Sequence, residues 1–76
     1  MKELLEAVAK ALVDYPEDVS VNEVEGEKSI ILELKVAKDD MGKVIGKQGR
    51  IAKAIRTVIK AAAVKENKRV SVEILQ

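Results

Sequence analysis

The chain has 76 residues, of which 47% are apolar, 36% are charged and only one, Tyr15, is aromatic. It contains no cysteine and no histidine, which excludes disulfides, zinc sites of the usual ligand types, thiol nucleophiles and a Ser–His–Asp triad. Fourteen basic and thirteen acidic side chains leave a net charge of +1. This length and composition predict one small intracellular domain in a reducing compartment, held together by packing alone.

The basic side chains are concentrated in the middle of the chain. Residues 1–37 carry nine acidic and four basic side chains, whereas residues 38–56 carry six basic and two acidic ones. A positive segment within a nearly neutral chain predicts one local anion-binding surface. The alternative is a solvated helix face, and charge alone does not decide between the two.

The first half of the chain is typical of a helix followed by two strands. Apolar residues recur at helical spacing over 3–14, and Pro16 favours an end to that helix because the residue before a proline avoids helical geometry. The β-branched segment 19–25 and the strict alternation over 29–37 predict two strands joined by a turn.

No apolar run approaches the roughly 20 residues that a membrane-spanning helix needs, and we expect no membrane association. The N-terminus is typical of a charged helix rather than a signal peptide.

The second half of the chain predicts two helices and a last strand. Asp39 and Asp40 favour the N-terminal cap of a short helix that extends to Ile45. The sequence Gly-Lys-Gln-Gly at 46–49 interrupts it, and residues 50–65 follow as a long amphipathic helix. After a turn at 66–68, alternation over 70–75 predicts the third strand. The predicted order is αββααβ, an α+β fold with three helices on one face of a three-stranded sheet.

The glycine segment between the two predicted helices is the strongest candidate for function. Glycine accepts positive φ and lets another backbone approach, and a turn that starts a helix presents amide groups to an anion. Lys47 and Arg50 add positive charge there. The spacing of Gly42, Gly46 and Gly49 fits neither a P-loop nor a dinucleotide fingerprint. The segment therefore predicts binding of a phosphate backbone through shape and charge, and the alternative is a plain helix–helix turn.

Residues 44–51, Val-Ile-Gly-Lys-Gln-Gly-Arg-Ile, resemble the Ile-Gly-x-x-Gly signature of the KH family. The element order is similar to the bacterial type II arrangement with a mixed sheet, and the resemblance spans 1–76 as one KH domain. It is most similar to the small bacterial single-domain KhpA proteins. The resemblance implies a cytoplasmic, non-enzymatic RNA-binding protein without a cofactor. It also implies a chaperone-like regulator that acts with a larger Jag-type KH protein and is linked to cell elongation, cell shape and envelope (peptidoglycan) homeostasis.

The resemblance implies that about four nucleotides of single-stranded RNA or DNA lie across the loop. The implied contacts are the loop and the residue that follows it: Gly46, Lys47, Gln48, Gly49 and Arg50. Three apolar residues are candidates for a groove beneath the bases, with a role in the core as their alternative: Val44, Ile45 and Ile51. Three further basic residues are interpreted as solubilising charges on the solvent side of the long helix: Lys53, Arg56 and Lys60.

Small side chains beside the core face of the long helix would permit close approach of another helix: Ala54, Thr57, Ala61 and Val64. This stripe predicts a face for a homodimer or for a heterodimer with the Jag-type partner, and the alternative is simple helix propensity.

Two other functions stay open. One is a protein-interaction adaptor with little RNA binding of its own. The other is a Mg²⁺-dependent activity at Asp39 and Asp40, for which helix capping is the better explanation.

Overall fold

The computed structural model describes residues 1–75. Its elements follow one another in this order: α1 (Lys2–Leu12), β1 (Ser20–Glu25), β2 (Ser29–Lys35), α2 (Lys38–Glu66) and β3 (Arg69–Leu75). A short 3-10 helix at Pro16–Asp18 connects α1 to β1. Within the described residues, neither α-helix is both long and apolar enough to cross a bilayer.

The three strands form one mixed sheet with β2 at its centre. β1 runs antiparallel to β2 with Val21 opposite Leu34, and β3 runs parallel to β2 with Val72 opposite Leu32. A tight turn joins the antiparallel pair, whereas α2 forms the crossover that a parallel pair requires. The mixed three-stranded sheet expected from the sequence is confirmed.

The helices cover one face of the sheet, and the core lies between them. Alternate residues of each strand point to this face, and the fully buried side chains come from all layers: Leu5, Leu32, Leu34, Val44, Ile55 and Ile59. Burying each such aliphatic side chain contributes about 1.5–3 kcal/mol. On the opposite face Val24 and Ile31 are exposed, so the sheet is open on that side.

The number of helices differs from the expectation. Residues 1–75 contain two α-helices, because the predicted short and long helices are the two halves of α2. This 29-residue element is interrupted at 46–49, where the backbone is not helical. The glycines predicted the interruption correctly. Helical structure resumes directly after the break, as the sequence predicts, and the four-residue break is too short to divide α2 into two separate elements.

Asp40 ties the start of α2 to the segment after α1. Its side chain is completely buried, and its carboxylate accepts hydrogen bonds from the backbone N–H groups of Asp14 and Tyr15 at 3.0 Å each. The predicted cap at Asp39 and Asp40 was wrong, because α2 begins after Ala37 and no side chain caps it. Helix capping is a local contact, whereas Asp40 acts on residues about 25 positions away, which spacing does not reveal.

Candidate nucleic-acid interface

The backbone leaves helical geometry for four residues in the middle of α2. Gly46 is extended with ψ at 175°, and Lys47, Gln48 and Gly49 take left-handed conformations with φ at 51°, 62° and 72°. A left-handed conformation costs an ordinary residue roughly 1–2 kcal/mol. Lys47 and Gln48 are two successive residues with side chains that adopt this conformation despite its cost. Backbone strain of this kind clusters at functional sites and persists where the surroundings fix it.

Buried residues on both sides fix the loop, which we define as residues 46–49. Val44 and Asp40 precede it and are completely buried, and Ala52 and Ile55 follow it at 3% and 1% exposure. The side chains at 47 and 48 are exposed. The loop is therefore a projection whose two ends are anchored in the core.

The two glycines of the loop have different reasons to be glycine. At Gly49 the positive φ favours it. At Gly46 the φ of −73° suits any residue, and an added Cβ would meet no heavy atom within 4 Å. Gly42, one helical turn earlier, is equally open, and sequence reasoning gave it no role. Bare backbone that faces open space is what the close approach of a ligand requires.

Cations lie beside the loop without carboxylate partners. Lys47 and Arg50 are exposed, and the ion pairs found in residues 1–75 include neither of them. Lys43, by contrast, pairs with Asp14 at 3.2 Å. The second half of α2 begins at Arg50, where free N–H groups of a first helical turn favour negative charge. Open backbone at the glycines and cations without a carboxylate partner together have the chemistry of a phosphate site.

The three apolar groove candidates have different surroundings. Val44 is completely buried and therefore contributes to the core rather than to a binding surface. Ile51 is partly buried against the core. Ile45 is 45% exposed and lines a groove of about 490 Å³ between the first half of α2 and the ends of β2 and β3. Surface for a base is therefore available at Ile45, directly before the loop.

Arg56 does not simply face solvent, as the sequence interpretation had it. Its Nε donates a long hydrogen bond of 3.4 Å to the backbone carbonyl of Val72 in β3. Together with Lys60 it lines a second groove of about 320 Å³ between α2 and β3, to which Ile59 and Val70 also contribute. The helical period gave the face of α2 on which Arg56 lies, but not the strand that lies beside that face. Lys53 is exposed, as expected.

The small-residue stripe of α2 lies on exposed surface. All four of its members are exposed, Val64 most of all at 78%. Val58, at 41% exposure, extends the apolar surface beside them. The stripe lies on the second half of α2, away from the residues that enter the core.

Comparison with known proteins places the chain among relatives of similar length. A model of the family described as KhpA/KhpB, KH domain, matches residues 2–74. Over 75 residues the chain is 79% identical to the RNA-binding protein KhpA of Clostridium perfringens and 80% identical to that of Clostridium acetobutylicum, in each case covering 99% of this chain and 100% of the relative. It is 56% identical over 73 residues to KhpA of Borreliella burgdorferi, covering 96% of this chain and 89% of the relative.

A solved structure shares the fold. The crystal structure of Era from Aquifex aeolicus bound to GDP and aluminium fluoride matches with a TM-score of 0.71 at 20% identity. The match covers 96% of this chain and 28% of that one. At this level of identity the likeness supports the arrangement of helices and strands and nothing beyond it.

Proposed function

Because the chain belongs to the KhpA/KhpB family of KH-domain proteins, we propose that it is a non-enzymatic protein that binds single-stranded RNA at residues 46–50. The observation that carries this proposal is the run of three left-handed residues at 47–49, of which Lys47 is an unpaired cation and after which the unpaired Arg50 follows. The relatives are named RNA-binding proteins, which supports RNA as the ligand.

In this proposal the loop holds the sugar–phosphate backbone and the neighbouring grooves hold bases. Backbone amides of residues 46–49 donate to phosphate oxygens, and Lys47 and Arg50 supply positive charge. Ile45 and Ile51 contact the bases. Phosphate binding releases counterions, so the affinity falls with salt at a slope of about −0.7 in log–log terms per phosphate neutralised on a single strand.

The affinity of one such domain is expected to be low. Aromatic stacking supplies about 1–3 kcal/mol per base in many single-strand binders, and Tyr15 is the sole aromatic residue of this chain. Tyr15 lies beside Asp40, before the sheet, and not in the loop. Charge and shape therefore carry most of the binding.

The experiment that tests the proposal replaces Lys47 and Gln48 by aspartate in one variant. Fluorescence anisotropy with a labelled random 10-nucleotide RNA at low salt measures the affinity, and circular dichroism verifies that helical content persists. The matched control is Lys2→Asp with Ala7→Asp, which changes the net charge equally on exposed positions of α1. We expect the loop variant to lose at least about tenfold in affinity and the control to lose far less, because exposed charges distant from a ligand are screened. Equal losses in both variants would contradict the loop as the site.

We further propose a cellular role for this RNA binding. The protein acts in the cytoplasm as a chaperone-like post-transcriptional regulator, alongside a larger Jag-type KH partner, in cell elongation and envelope homeostasis. Family membership supports this role, and the exposed stripe at Ala54, Thr57, Ala61 and Val64 offers a face for a homodimer or for the partner. Joining two weak domains raises the overall affinity through effective concentration.

The second candidate function is a protein-interaction adaptor, which the exposure of this stripe favours. Analytical ultracentrifugation of the wild type and of a variant with Ala61→Glu and Val64→Glu tests it. An adaptor forms a tight dimer that the variant abolishes, while neither protein binds RNA. If the proposed RNA binding is correct, the wild type binds RNA. The variant then loses affinity only to the extent that dimerisation contributes to binding.

A further inference from the structure

We infer that the outer edge of β1 binds an extended basic peptide, which adds to the sheet as a fourth strand. The ligand is a segment in which lysine or arginine alternates with β-branched or other apolar residues. The site lies at the edge of the sheet opposite to β3, and it is independent of the proposed RNA binding at residues 46–50.

Two residues of β1 turn their backbone groups away from the sheet. β1 is an outer strand that pairs with β2. The N–H of Gly26 donates to the carbonyl of Ser29 at 2.7 Å, and hydrogen-bonded pairs alternate with non-hydrogen-bonded pairs along an antiparallel ladder. Val24 therefore exchanges hydrogen bonds with β2, whereas the N–H and C=O groups of Glu23 and Glu25 point outward. These backbone groups can pair with another strand.

The outward-facing part of β1 is accessible. Val21, whose side chain faces the helices, is buried, but residues 22–25 are all exposed. On the open face of the sheet Val24 is 49% exposed and lies opposite Ile31, which is 37% exposed. A strand added to β1 would cover part of this apolar surface. An exposed edge beside an apolar surface is suited to an extended peptide, because the backbone supplies hydrogen bonds and the surface receives alternate side chains.

The charge around this edge determines which peptide fits. Residues 11–27 contain six carboxylates and no basic side chain. Lys68 pairs with Glu25 at 2.8 Å. Four of the other carboxylates take part in no ion pair found in residues 1–75: Glu17, Asp18, Glu23 and Glu27. An incoming strand therefore meets negative charge, which favours lysine or arginine in the ligand.

The alternation in the ligand follows from the faces of β1. The side chains of Glu23 and Glu25 lie on the same face as that of Val21, and the side chain of Val24 lies on the open face. Residues of an added strand that bond to the backbone of Glu23 and Glu25 place their own side chains directly opposite, on that same face. Basic residues fit there, and β-branched or apolar residues fit the alternate positions beside Val24.

The same charges disfavour two other occupants. A second copy paired through the exposed part of β1 would place Glu23 opposite its own equivalent or opposite Glu25 of that copy, and like charges directly opposite are destabilising. A nucleic acid would bring phosphates to the carboxylates. The nearby cations Lys28 and Lys35 lie at the two ends of the β1–β2 hairpin and not at its centre. A basic peptide is therefore the occupant that the edge fits.

A synthetic peptide tests this chemistry: acetyl-Thr-Lys-Val-Lys-Val-Lys-Thr-amide. Titration of the ¹⁵N-labelled protein at about 0.1 M salt, where charges more than about 10 Å apart are largely screened, gives both the location and the Kd from amide chemical shifts. The control peptide carries N-methyl groups on the backbone nitrogens of its lysines. It keeps every charge but loses the donors that would face β1.

We expect the unmodified peptide to shift the amides of residues 22–25 most. The N-methylated peptide binds at least about tenfold more weakly, because backbone hydrogen bonds are lost. Glu23→Gln weakens binding of the unmodified peptide about two- to fivefold, the size of one cross-strand charge pair. The matched control is Glu73→Gln, which removes the same charge from an exposed position of β3, two strands away, and leaves the Kd nearly unchanged.

The following results would overturn the inference. Equal binding of the two peptides would reduce the interaction to charge attraction without strand addition. Equal losses from Glu23→Gln and Glu73→Gln, or the largest shifts outside residues 22–25, would place the peptide elsewhere, and no shifts at all would leave no site. Shifts at residues 22–25 that depend on protein concentration without peptide would assign the edge to a second copy. No RNA enters the experiment, so these results leave the proposed RNA binding as it stands.

Discussion

Left-handed residues occur at two places along α2, and only one of them has an explanation within the chain. At Asn67, with φ at 56°, the helix ends. The N–H groups of Asn67 and Lys68 donate to the carbonyls of Val64 and Ala63 at 3.2 Å each, so this turn satisfies the end of the helix and leads into β3. The loop at 46–49 has three such residues in succession, after which the helix resumes.

One left-handed residue is enough to cap a helix, so the loop has more strain than a change of direction requires. Asn67 caps its own helix end with local hydrogen bonds, whereas the loop depends on buried residues at its two ends. The cap geometry serves the fold, and the proposed RNA binding would explain why the loop keeps its additional strain. Substitutions at the two places therefore have different consequences for stability and for RNA binding.

The largest expected effect on stability concerns the anchor of the loop. Asp40→Ala removes the acceptor of two part-buried backbone N–H groups, and each of them left without this partner costs about 1–2 kcal/mol, the lower part of the range for a buried donor. We expect the free energy of unfolding to fall by roughly 2–4 kcal/mol in urea titrations followed by circular dichroism. Asp39→Ala, at an exposed neighbour, is the control and stays within about 0.5 kcal/mol of wild type. Similar effects of the two substitutions would show that Asp40 is no anchor.

The glycines of the loop allow stability and binding to be separated. Gly49→Ala forces a side chain into positive φ and costs about 1–2 kcal/mol, whereas Gly46→Ala meets no such strain and no steric contact. We therefore expect Gly46→Ala to unfold like wild type, yet to bind RNA more weakly because its methyl group lies where the phosphate backbone approaches. Asn67→Ala provides the reverse case, with a stability loss of about 1 kcal/mol and unchanged RNA affinity. Unimpaired binding by Gly46→Ala would mean that no backbone approaches there.

Relief of strain is a smaller effect of opposite sign. Gln48→Gly and Asn67→Gly both replace a left-handed residue by one that adopts this conformation freely, and each stabilises the fold by about 0.5–1 kcal/mol after the chain entropy of glycine is deducted. Thermal unfolding measures this gain. Only Gln48→Gly is expected to lower RNA affinity. A loss of stability at 48 would contradict the strained geometry of the loop.

The smallest effect concerns an ion pair beside the cap. Lys68 Nζ lies 2.8 Å from Glu25 Oε1. The hydrogen bond and the charge of Lys68 hold the pKa of Glu25 below its ordinary value of 4.5, and Glu25 raises the pKa of Lys68 above 10.5. A lowered carboxyl pKa stabilises at neutral pH, and this contribution disappears as the pH falls through the lowered value. The raised pKa of Lys68 likewise stabilises the fold at neutral pH, and this contribution disappears as the pH rises through the raised value.

Glu25 is exposed and Lys68 is only half-buried, so the stabilisation is small and screened by salt. We expect Glu25→Gln to lower the melting temperature slightly at pH 7. The difference from wild type vanishes once the pH has fallen below the lowered pKa of Glu25. A difference that persists in acid would show that Glu25 contributes by packing and not by charge.

Local patterns predicted most of the fold. Helical spacing over 3–14 corresponds to α1 at Lys2–Leu12, and alternation over 29–37 corresponds to β2 at Ser29–Lys35. The β-branched run and the final alternation fall on β1 and β3. These signals are read from neighbours in sequence, and they succeed because the hydrophobic period of each element matches the face that it buries.

The features that the sequence did not predict depend on contacts between distant residues. Asp40 was interpreted as a cap, although its carboxylate binds Asp14 and Tyr15. Arg56 was interpreted as a solubilising charge, although β3 brings the Val72 carbonyl to it. Val44 has an apolar side chain next to the loop, and only the packing of α2 shows that it faces the core. In each case the residue type was visible and its partner was not.

One measurement tests the central claim most directly. Titration of the ¹⁵N-labelled protein with a single-stranded RNA oligomer, followed by amide chemical shifts, reports where the ligand lies. The loop account predicts that the largest shifts fall on the amides of Gly46 to Arg50, with smaller ones beside the grooves. Shifts confined to the open face of the sheet, around Val24 and Ile31, with residues 46–50 unperturbed, would contradict it.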